Sequence, residues 1–292
     1  MAADLLTERL SPVQPTAEFS SGGTLTDLDG PAGGTCTVTL TRPDGTAGPG
    51  SGTVTHVSTG KYSFVLAGQP EVTVFDVAWS GAIGSQSVTK KTQVEVVGDL
   101  LFTLAAAKAW DAGAIPNAGV SDADILAKRI SLLDDLERPQ RCNVAFVPRY
   151  TRETHHGTGG DLRLWSARAT KLLSVTVNGV AQDLAGFTLG QDGILRATSN
   201  YAYGTTPIRS GISNVVVEYV RGHDQVPGPV SEAALRIARA TLVPSNIGDR
   251  ATSITNDAGT ILLATAGRGS YQPYGIPLAD SVLAAYHQPL AA

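Results

Sequence analysis

Hydrophobic and polar residues alternate in short runs along the first 98 residues of the chain. Val38 and Leu40 lie between threonines, and Pro43-Asp44-Gly45 follows them as a turn signal. Similar period-two runs, separated by glycine or proline, predict strands near residues 16–20, 37–41, 53–57, 62–66, 72–79 and 88–97. Short strands at this spacing favour an immunoglobulin-like β-sandwich, which we assign to a domain of residues 1–98.

The predicted sandwich has enough large side chains for a core of its own. We expect Tyr62, Phe64, Phe75 and Trp79 to fill it. Cys36 and Cys142 fall in different predicted domains and are far apart in sequence, so they fit neither a disulfide framework nor a zinc site. We interpret Cys36 as a small buried hydrophobic residue.

Helical periodicity begins beyond residue 98. Ser121 and Asp124 form a capping-box variant that predicts a helix start, and Pro139 ends this helix. Pro229 and Pro277 suit the first turns of two later helices, the first of them running to about residue 243. The buried positions expected of the last helix are Leu278, Val282, Ala285 and Tyr286.

A second block of strand patterns separates the first two of these helices. Asn178-Gly179 and Asp192-Gly193 are hairpin signals between apolar runs. We interpret residues 143–222 as a β-rich insertion in a small helical core, so that residues 99–292 form the second domain. The predicted fold class is α+β, with the all-β domain first and the helical core with its insertion second.

The order of elements in the last third carries a resemblance. A strand at Val215-Val-Val-Glu-Tyr-Val220 precedes the helix opened by Pro229, and the helix opened by Pro277 ends the pattern. In this order they resemble the head-to-tail connector (adaptor) proteins of long-tailed bacteriophages. The resemblance covers residues 99–292, and the N-terminal sandwich is an addition to the family pattern.

The resemblance implies a structural virion protein of the neck, at the head–tail junction. Connectors form a ring, usually dodecameric, beneath the portal, linking the capsid to the neck and tail and lining the DNA channel. The implied partners are further copies of the chain, the portal protein and a stopper or tail-completion protein, with non-specific proximity to packaged double-stranded DNA. Because the C-terminal segment of connectors docks on the portal, the implied docking residues are Ser281, Val282, Leu283, Tyr286, His287 and Leu290.

Charge adds one local feature. The chain has a formal net charge of −4, which does not call for nucleic acid as a partner. Residues 138–171 nevertheless carry seven basic residues against two acidic ones. A solvated strand face explains such a run, and so does a surface that docks on an acidic subunit or faces DNA in a channel. The interface or channel candidates are Arg138, Arg141, Arg149, Arg152, Arg163, Arg168 and Lys171.

The sequence offers no marked set of catalytic or metal-binding residues. His155 and His156 are adjacent, so on a strand they point to opposite faces, and we interpret them as a surface hairpin tip. We find no Gly-x-Ser-x-Gly elbow, phosphate loop or dinucleotide fingerprint. We therefore expect no enzyme activity, no cofactor and no metal.

Membrane association is not expected either. No apolar run approaches the length of a membrane span, and the N-terminus lacks the pattern of a signal peptide. We expect assembly in the host cytoplasm. The alternative function is a carbohydrate- or receptor-binding β-sandwich module on a helical base, which would need exposed aromatic rings.

Overall fold

The computed structural model has an α+β fold. It describes residues 5–30, 34–49, 54–138, 141–166, 168–190, 192–198, 208–243, 253–256, 259–262 and 274–287, and for residues 253–256 and 259–262 the backbone only. The chain divides into two compact units. Unit 1 comprises Met1–Asp99 and Val147–Asp224, and unit 2 comprises Leu100–Phe146 and Gln225–Ala292.

The N-terminal part of unit 1 consists of strands, as the alternating pattern predicts. They are β1 (Leu5–Glu8), β2 (Thr16–Glu18), β3 (Ser20–Ser21), β4 (Thr24–Leu25), β5 (Thr37–Thr41), β6 (Val54–Ser58), β7 (Lys61–Phe64), β8 (Thr73–Ile83) and β9 (Gln86–Val97). The sheets run β1-β9-β8-β5 and β2-β7-β6, and β3 pairs with β4. Strand β1 is parallel to β9, whereas β8 and β9 form a long antiparallel hairpin.

The four-stranded and three-stranded sheets share one hydrophobic core. The four predicted core aromatics, Tyr62, Phe64, Phe75 and Trp79, are all buried in it. The Tyr62 hydroxyl accepts a hydrogen bond of 2.8 Å from the Leu28 backbone N–H, so its polar end is satisfied. The immunoglobulin-like topology of this region stays a prediction.

The remaining strands of unit 1 lie in residues 149–221. They are β10 (Arg149–Gly157), β11 (Leu162–Arg163), β12 (Ala169–Val177), β13 (Val180–Ala181), β14 (Phe187–Leu189), β15 (Ile194–Ala197) and β16 (Gly211–Arg221). They form the sheets β10-β16-β12-β13 and β11-β15-β14, with a second hydrophobic core. Both predicted hairpins occur, and Asn178 and Gly179 have the expected positive φ angles of 51° and 77°. Residues 144–147, an apolar run at the start of the predicted insertion, are buried but irregular and form no strand.

Unit 2 contains the helices. They are α1 (Leu104–Ala109), α2 (Ala114–Asn117), α3 (Asp122–Leu136), α4 (Gly228–Leu242) and α5 (Pro277–Tyr286), with a 3-10 turn at Trp110–Gly113. Helix α4 packs against both α3 and α5. Strands β17 (Ser253–Asn256) and β18 (Gly259–Leu262) form an antiparallel pair.

The predicted start of α3 is confirmed. The Ser121 hydroxyl accepts a hydrogen bond of 3.2 Å from the Asp124 backbone N–H and donates one of 2.6 Å to the Asp124 carboxylate. Ile125, Leu133 and Leu136 are buried. Helix α3 begins directly after its predicted cap residue, Ser121, and ends at Leu136, before Pro139.

The buried face of α5 differs from the predicted stripe. Leu278 is 62% exposed and Ala285 is exposed, whereas Ala279, Asp280 and Leu283 are buried. The Asp280 carboxylate explains why the buried face of α5 is rotated relative to the predicted one, since this carboxylate accepts hydrogen bonds from the backbone N–H groups of Tyr274 and Ile276 at 3.1 and 2.9 Å. A polar side chain thus turns inward to cap the segment before the helix, which apolar periodicity alone does not indicate.

The unit boundaries bear on the domain prediction without deciding it. A boundary follows Asp99, one residue beyond the predicted end of the first domain. Residues 147–222 of the predicted insertion, however, are grouped with the N-terminal strands and not with the helices. The assignment of independent domains stays a prediction.

Candidate interaction surfaces

The basic residues of the 138–171 run are divided between the two units. Arg138 and Arg141 belong to unit 2, and the other five belong to unit 1. Within unit 1, Arg149 and Arg152 lie three residues apart on β10 and therefore on opposite faces of the strand. The run in the sequence is thus not one face of one element.

Arg149 forms an internal ion pair. Its Nε and Nη2 atoms donate to Oε1 and Oε2 of Glu95 at 2.7 and 2.6 Å. The two side chains are only 12% and 5% exposed. The prediction that Arg149 belongs to the basic candidate surface is therefore wrong, because its charge is neutralised inside unit 1 by an acidic residue 54 positions away.

Arg152 also binds groups of its own unit. Its Nε lies 3.4 Å from Oε1 of Glu218, the residue paired with it on β16. One of its guanidinium N–H groups donates to the Pro43 carbonyl in the turn after β5. Glu218 also accepts hydrogen bonds from Tyr150 and Ser174 at 2.8 and 2.7 Å. Burial, followed by this carboxylate, raises the pKa of Tyr150 above its usual range.

The other basic residues of unit 1 differ in their availability. The Arg168 guanidinium lies 2.8 Å from Nε2 of His223. Burial of the imidazole, and secondly the nearby Arg168 charge, lowers the pKa of His223. Arg163 and Lys171 are exposed and have no ion-pair partner among the residues that the structure describes. Arg152 is also exposed but is paired with Glu218, so Arg163 and Lys171 are the described members of the unit 1 group that are both exposed and without an ion pair.

Arg138 and Arg141 lie near the C-terminal end of α3. Their guanidinium groups are 3.6 and 3.5 Å from the Asp135 carboxylate, respectively. Arg141 also stacks over the Tyr274 ring at 5.1 Å, and the Tyr274 hydroxyl donates to Asp135 at 2.5 Å. Burial and this carboxylate raise the pKa of Tyr274. Arg138 is the more exposed of the two arginines.

The C-terminal candidates divide into buried and accessible residues. Leu283 is fully buried, and the Cys142 thiol donates to its carbonyl at 3.7 Å. Leu283 therefore belongs to the core of unit 2 and does not present its side chain to a partner. Tyr286 is half-buried against Phe146, with ring centroids 5.6 Å apart. Ser281 and His287 are exposed and Val282 is half-buried, while Leu290 lies outside the described residues.

A buried polar network around Glu153 was not predicted from the sequence. Glu153 is 3% exposed, and its carboxylate accepts a hydrogen bond from the Tyr219 hydroxyl. The same carboxylate lies 2.6 Å from Nε2 of His155 and 3.1 Å from the Trp165 backbone nitrogen. The interpretation of His155 as a surface hairpin tip is wrong, because its side chain lies within β10 and is 9% exposed. The sequence feature that could have indicated this network is the spacing of Glu153 and His155, which places both on one face of the strand.

Unit 2 has an open groove of about 480 Å³ beside α4. Arg236 stacks over the Trp110 ring at 5.7 Å, and Arg239 pairs with Asp111 at 2.5 Å. Arg236 is also paired with Glu232 at 2.6 Å. Both arginines are thus neutralised, and the groove has no excess charge that would select a ligand.

The described residues include no group of three or more metal-ligating side chains that could hold an ion. Within the same residues, no helix is long and apolar enough to cross a membrane. Residues 139–140, between Arg138 and Arg141, are not among the residues that the structure describes.

Comparison with known proteins does not show a family for this chain. No protein-family model matches the chain. No curated protein matches it either. One solved structure that resembles it is a chain from the neck of an empty GTA particle computed with C6 symmetry, which is 14% identical with a TM-score of 0.41. The match covers 66% of this chain and 92% of the other. A likeness of this size does not identify a function.

Proposed function

We propose that this chain is a structural neck protein of a tailed phage or phage-like particle. In this role it forms a ring beneath the portal and links the capsid to the tail. The observation that carries the proposal is the order of elements in residues 211–286. A long strand, β16, is followed by two helices that each carry a proline in the first turn, α4 and α5, as in the connectors that the sequence resembles.

The proposed role is one of assembly without a catalytic step. Cyclic head-to-tail contacts between identical subunits close a ring, and the buried surface supplies the free energy. A dodecamer, a portal contact through residues 281–290, a stopper or tail-completion partner and proximity to DNA are the finer parts of the proposal. They follow from the family resemblance.

Within unit 2, one set of α5 residues is buried and another is accessible, and this difference supports a docking role for the accessible set. Leu283 and Ala279 anchor the helix, whereas Ser281, Val282, Tyr286 and His287 keep exposed or half-exposed side chains. We propose that this second set, with the residues beyond it, meets the portal. The helix is then fixed by one face and docks by the other.

The docking proposal is tested by deleting residues 287–292 in the strain that produces the particles. We expect tail-free, DNA-filled heads in electron micrographs of the lysate. The matched control is Leu278→Ala, an exposed position on the same helix that lies outside the proposed docking set. Normal tailed particles from the deletion strain would refute the portal-docking assignment.

A test of the basic residues should change only the exposed ones and not the whole run. Arg138→Glu with Lys171→Glu reverses two exposed charges, whereas Arg149→Glu would break an internal pair and change folding. If these residues dock on an acidic subunit or face DNA, the double reversal lowers the yield of infectious or DNA-transferring particles. An unchanged yield would leave the solvated-face interpretation in place.

A further inference from the structure

The outer face of the sheet β11-β15-β14 carries an exposed tryptophan. Leu162 and Leu195 are paired and buried, so Arg163, which alternates with Leu162 on β11, points outward. Trp165 lies two residues beyond the end of β11, directly after the buried Leu164, and is 76% exposed. By contrast, Trp79 is fully buried, so exposure at Trp165 is not a general property of the indoles of this chain.

The backbone beneath this indole is held in place from the core. The Trp165 N–H donates to the buried Glu153 carboxylate at 3.1 Å, and the preceding Leu164 N–H donates to the Gly193 carbonyl at 2.8 Å. The His155 ring, itself bonded to Glu153, lies 5.2 Å from the indole ring at 54°. A buried carboxylate is costly unless it is fully bonded, and here its bonds fix the loop. The indole is thus presented in advance of binding, which lowers the entropy cost of recognition.

The outward-facing positions of the sheet next to this segment carry charged and hydroxyl groups. Asp161 precedes Arg163 by two residues and lies 3.7 Å from Arg196 of β15. Arg196 is bonded to Asp192 at 2.6 Å, and this guanidinium holds the pKa of Asp192 below its usual value. Thr188 is paired with Arg196 on β14 and is exposed. The face therefore combines guanidinium donors, carboxylate acceptors and a hydroxyl with no excess of either charge.

We propose that the outer face of the sheet β11-β15-β14 is a saccharide-binding site, with Trp165 as its stacking platform. The C–H face of a sugar ring packs on a flat indole, whose π face is electron-rich. Neighbouring sugar hydroxyls suit carboxylate acceptors and the forked donors of Arg163, which has no ion-pair partner among the described residues. This site goes beyond the neck function and does not depend on it.

The balance of groups favours a saccharide over other ligands. Nucleic acid selects an excess of positive charge, which this face does not have. A stable protein interface needs a larger apolar centre than one indole and the half-buried Ile194. A polyhydroxylated ligand needs one flat apolar contact and several donors and acceptors, which are the groups present.

The site is tested on the full-length protein with an array of bacterial capsular, O-antigen and peptidoglycan saccharides. We expect binding to a related group of saccharides, and we expect Trp165→Ala to weaken it about tenfold or more, as loss of one stacking contact implies. Arg163→Met should weaken it as well. Val180→Ser, an exposed apolar position on β13 of the other sheet, is the control and should bind as the wild type does.

Two results would overturn the proposal. One is the absence of binding to every saccharide on the array by a protein whose circular dichroism and thermal midpoint are native. The other is binding that Trp165→Ala retains in full. Sedimentation of the same variants adds a distinct outcome: self-association that Trp165→Ala abolishes would assign this face to a contact between copies of the chain instead. None of these results depends on whether the protein is found in a virion neck.

Discussion

Arg149 on β10 and Glu95 on β9 form a two-bond ion pair with N–O distances of 2.6 and 2.7 Å, and it joins the two groups of sheets in unit 1. Each of these residues belongs to a different predicted domain. The pair is reinforced nearby, where the Gly98 N–H donates to the Pro148 carbonyl at 2.9 Å and Pro148 occupies the space that a side chain at Gly98 would need. A residue that the sequence presents as part of a basic surface is thus a structural cross-link.

Replacing Arg149 should destabilise the fold. Arg149→Met leaves the buried Glu95 carboxylate unpaired, and we expect a loss of about 3 kcal/mol in the free energy of unfolding. Urea denaturation measures it. Arg163→Met removes an exposed arginine of the same run and should change the free energy by less than about 0.5 kcal/mol. Equal effects of the two substitutions would contradict the assignment of Arg149 to an internal pair.

Leu283 gives the corresponding prediction for unit 2. Because its side chain is fully buried, Leu283→Ala should cost about 3 kcal/mol through lost apolar burial and the cavity that remains. Leu278→Ala on the same helix removes an exposed side chain and should be nearly neutral. Thermal and urea unfolding distinguish the two. Tolerance of the Leu283 substitution would show that α5 is not anchored as described.

The two cysteines should differ in reactivity. Burial raises the pKa of the Cys142 thiol to about 11, so at pH 8 roughly one thiol in a thousand is ionised, and access is blocked as well. Cys36 is only half-buried. With a chromogenic disulfide reagent at pH 8, we expect Cys36 to react first and Cys142 only on unfolding. Rapid modification of a Cys36→Ser variant in native buffer would disagree with this structure.

His223 predicts a pH dependence of stability. Its pKa is lowered in the folded state by burial and by Arg168, so the unfolded chain binds the proton more readily. The stabilising contribution of the neutral His223 imidazole is therefore complete above the ordinary histidine pKa of about 6.5. It is lost as the pH falls from that value through the lower pKa of the folded state. The free energy of unfolding should fall less steeply between about pH 7 and pH 5 in His223→Gln than in the wild type. Identical slopes would remove His223 as a cause.

Much of the fold follows from local sequence patterns. Ser121 and Asp124 fix the start of α3 through a cap that operates over three residues, and Asn178-Gly179 supplies the positive φ angles that its hairpin needs. Trp79 and Phe75 are buried because their strand alternates in period two. Such signals depend only on near neighbours, so they can be recognised without a structure.

The candidate surfaces were less predictable because they depend on distant partners. No local pattern places Glu95 against Arg149, and the reversal of the α5 face depends on the Asp280 carboxylate turning inward. Arg129 is another case: it lies among the buried residues of α3 and donates to the Phe102 carbonyl at 3.2 Å. A charged residue within a helix is expected to face solvent, and only its tertiary partner indicates otherwise.

The proposed place of this chain in the virion neck can be tested by locating it in particles. Immunogold electron microscopy with antibody to residues 1–98 should be performed on tailed particles from the source lysate, after confirming that the antibody binds the native protein. We expect gold at the head–tail junction. Gold on fibres or capsid faces, or unlabelled particles, would contradict it.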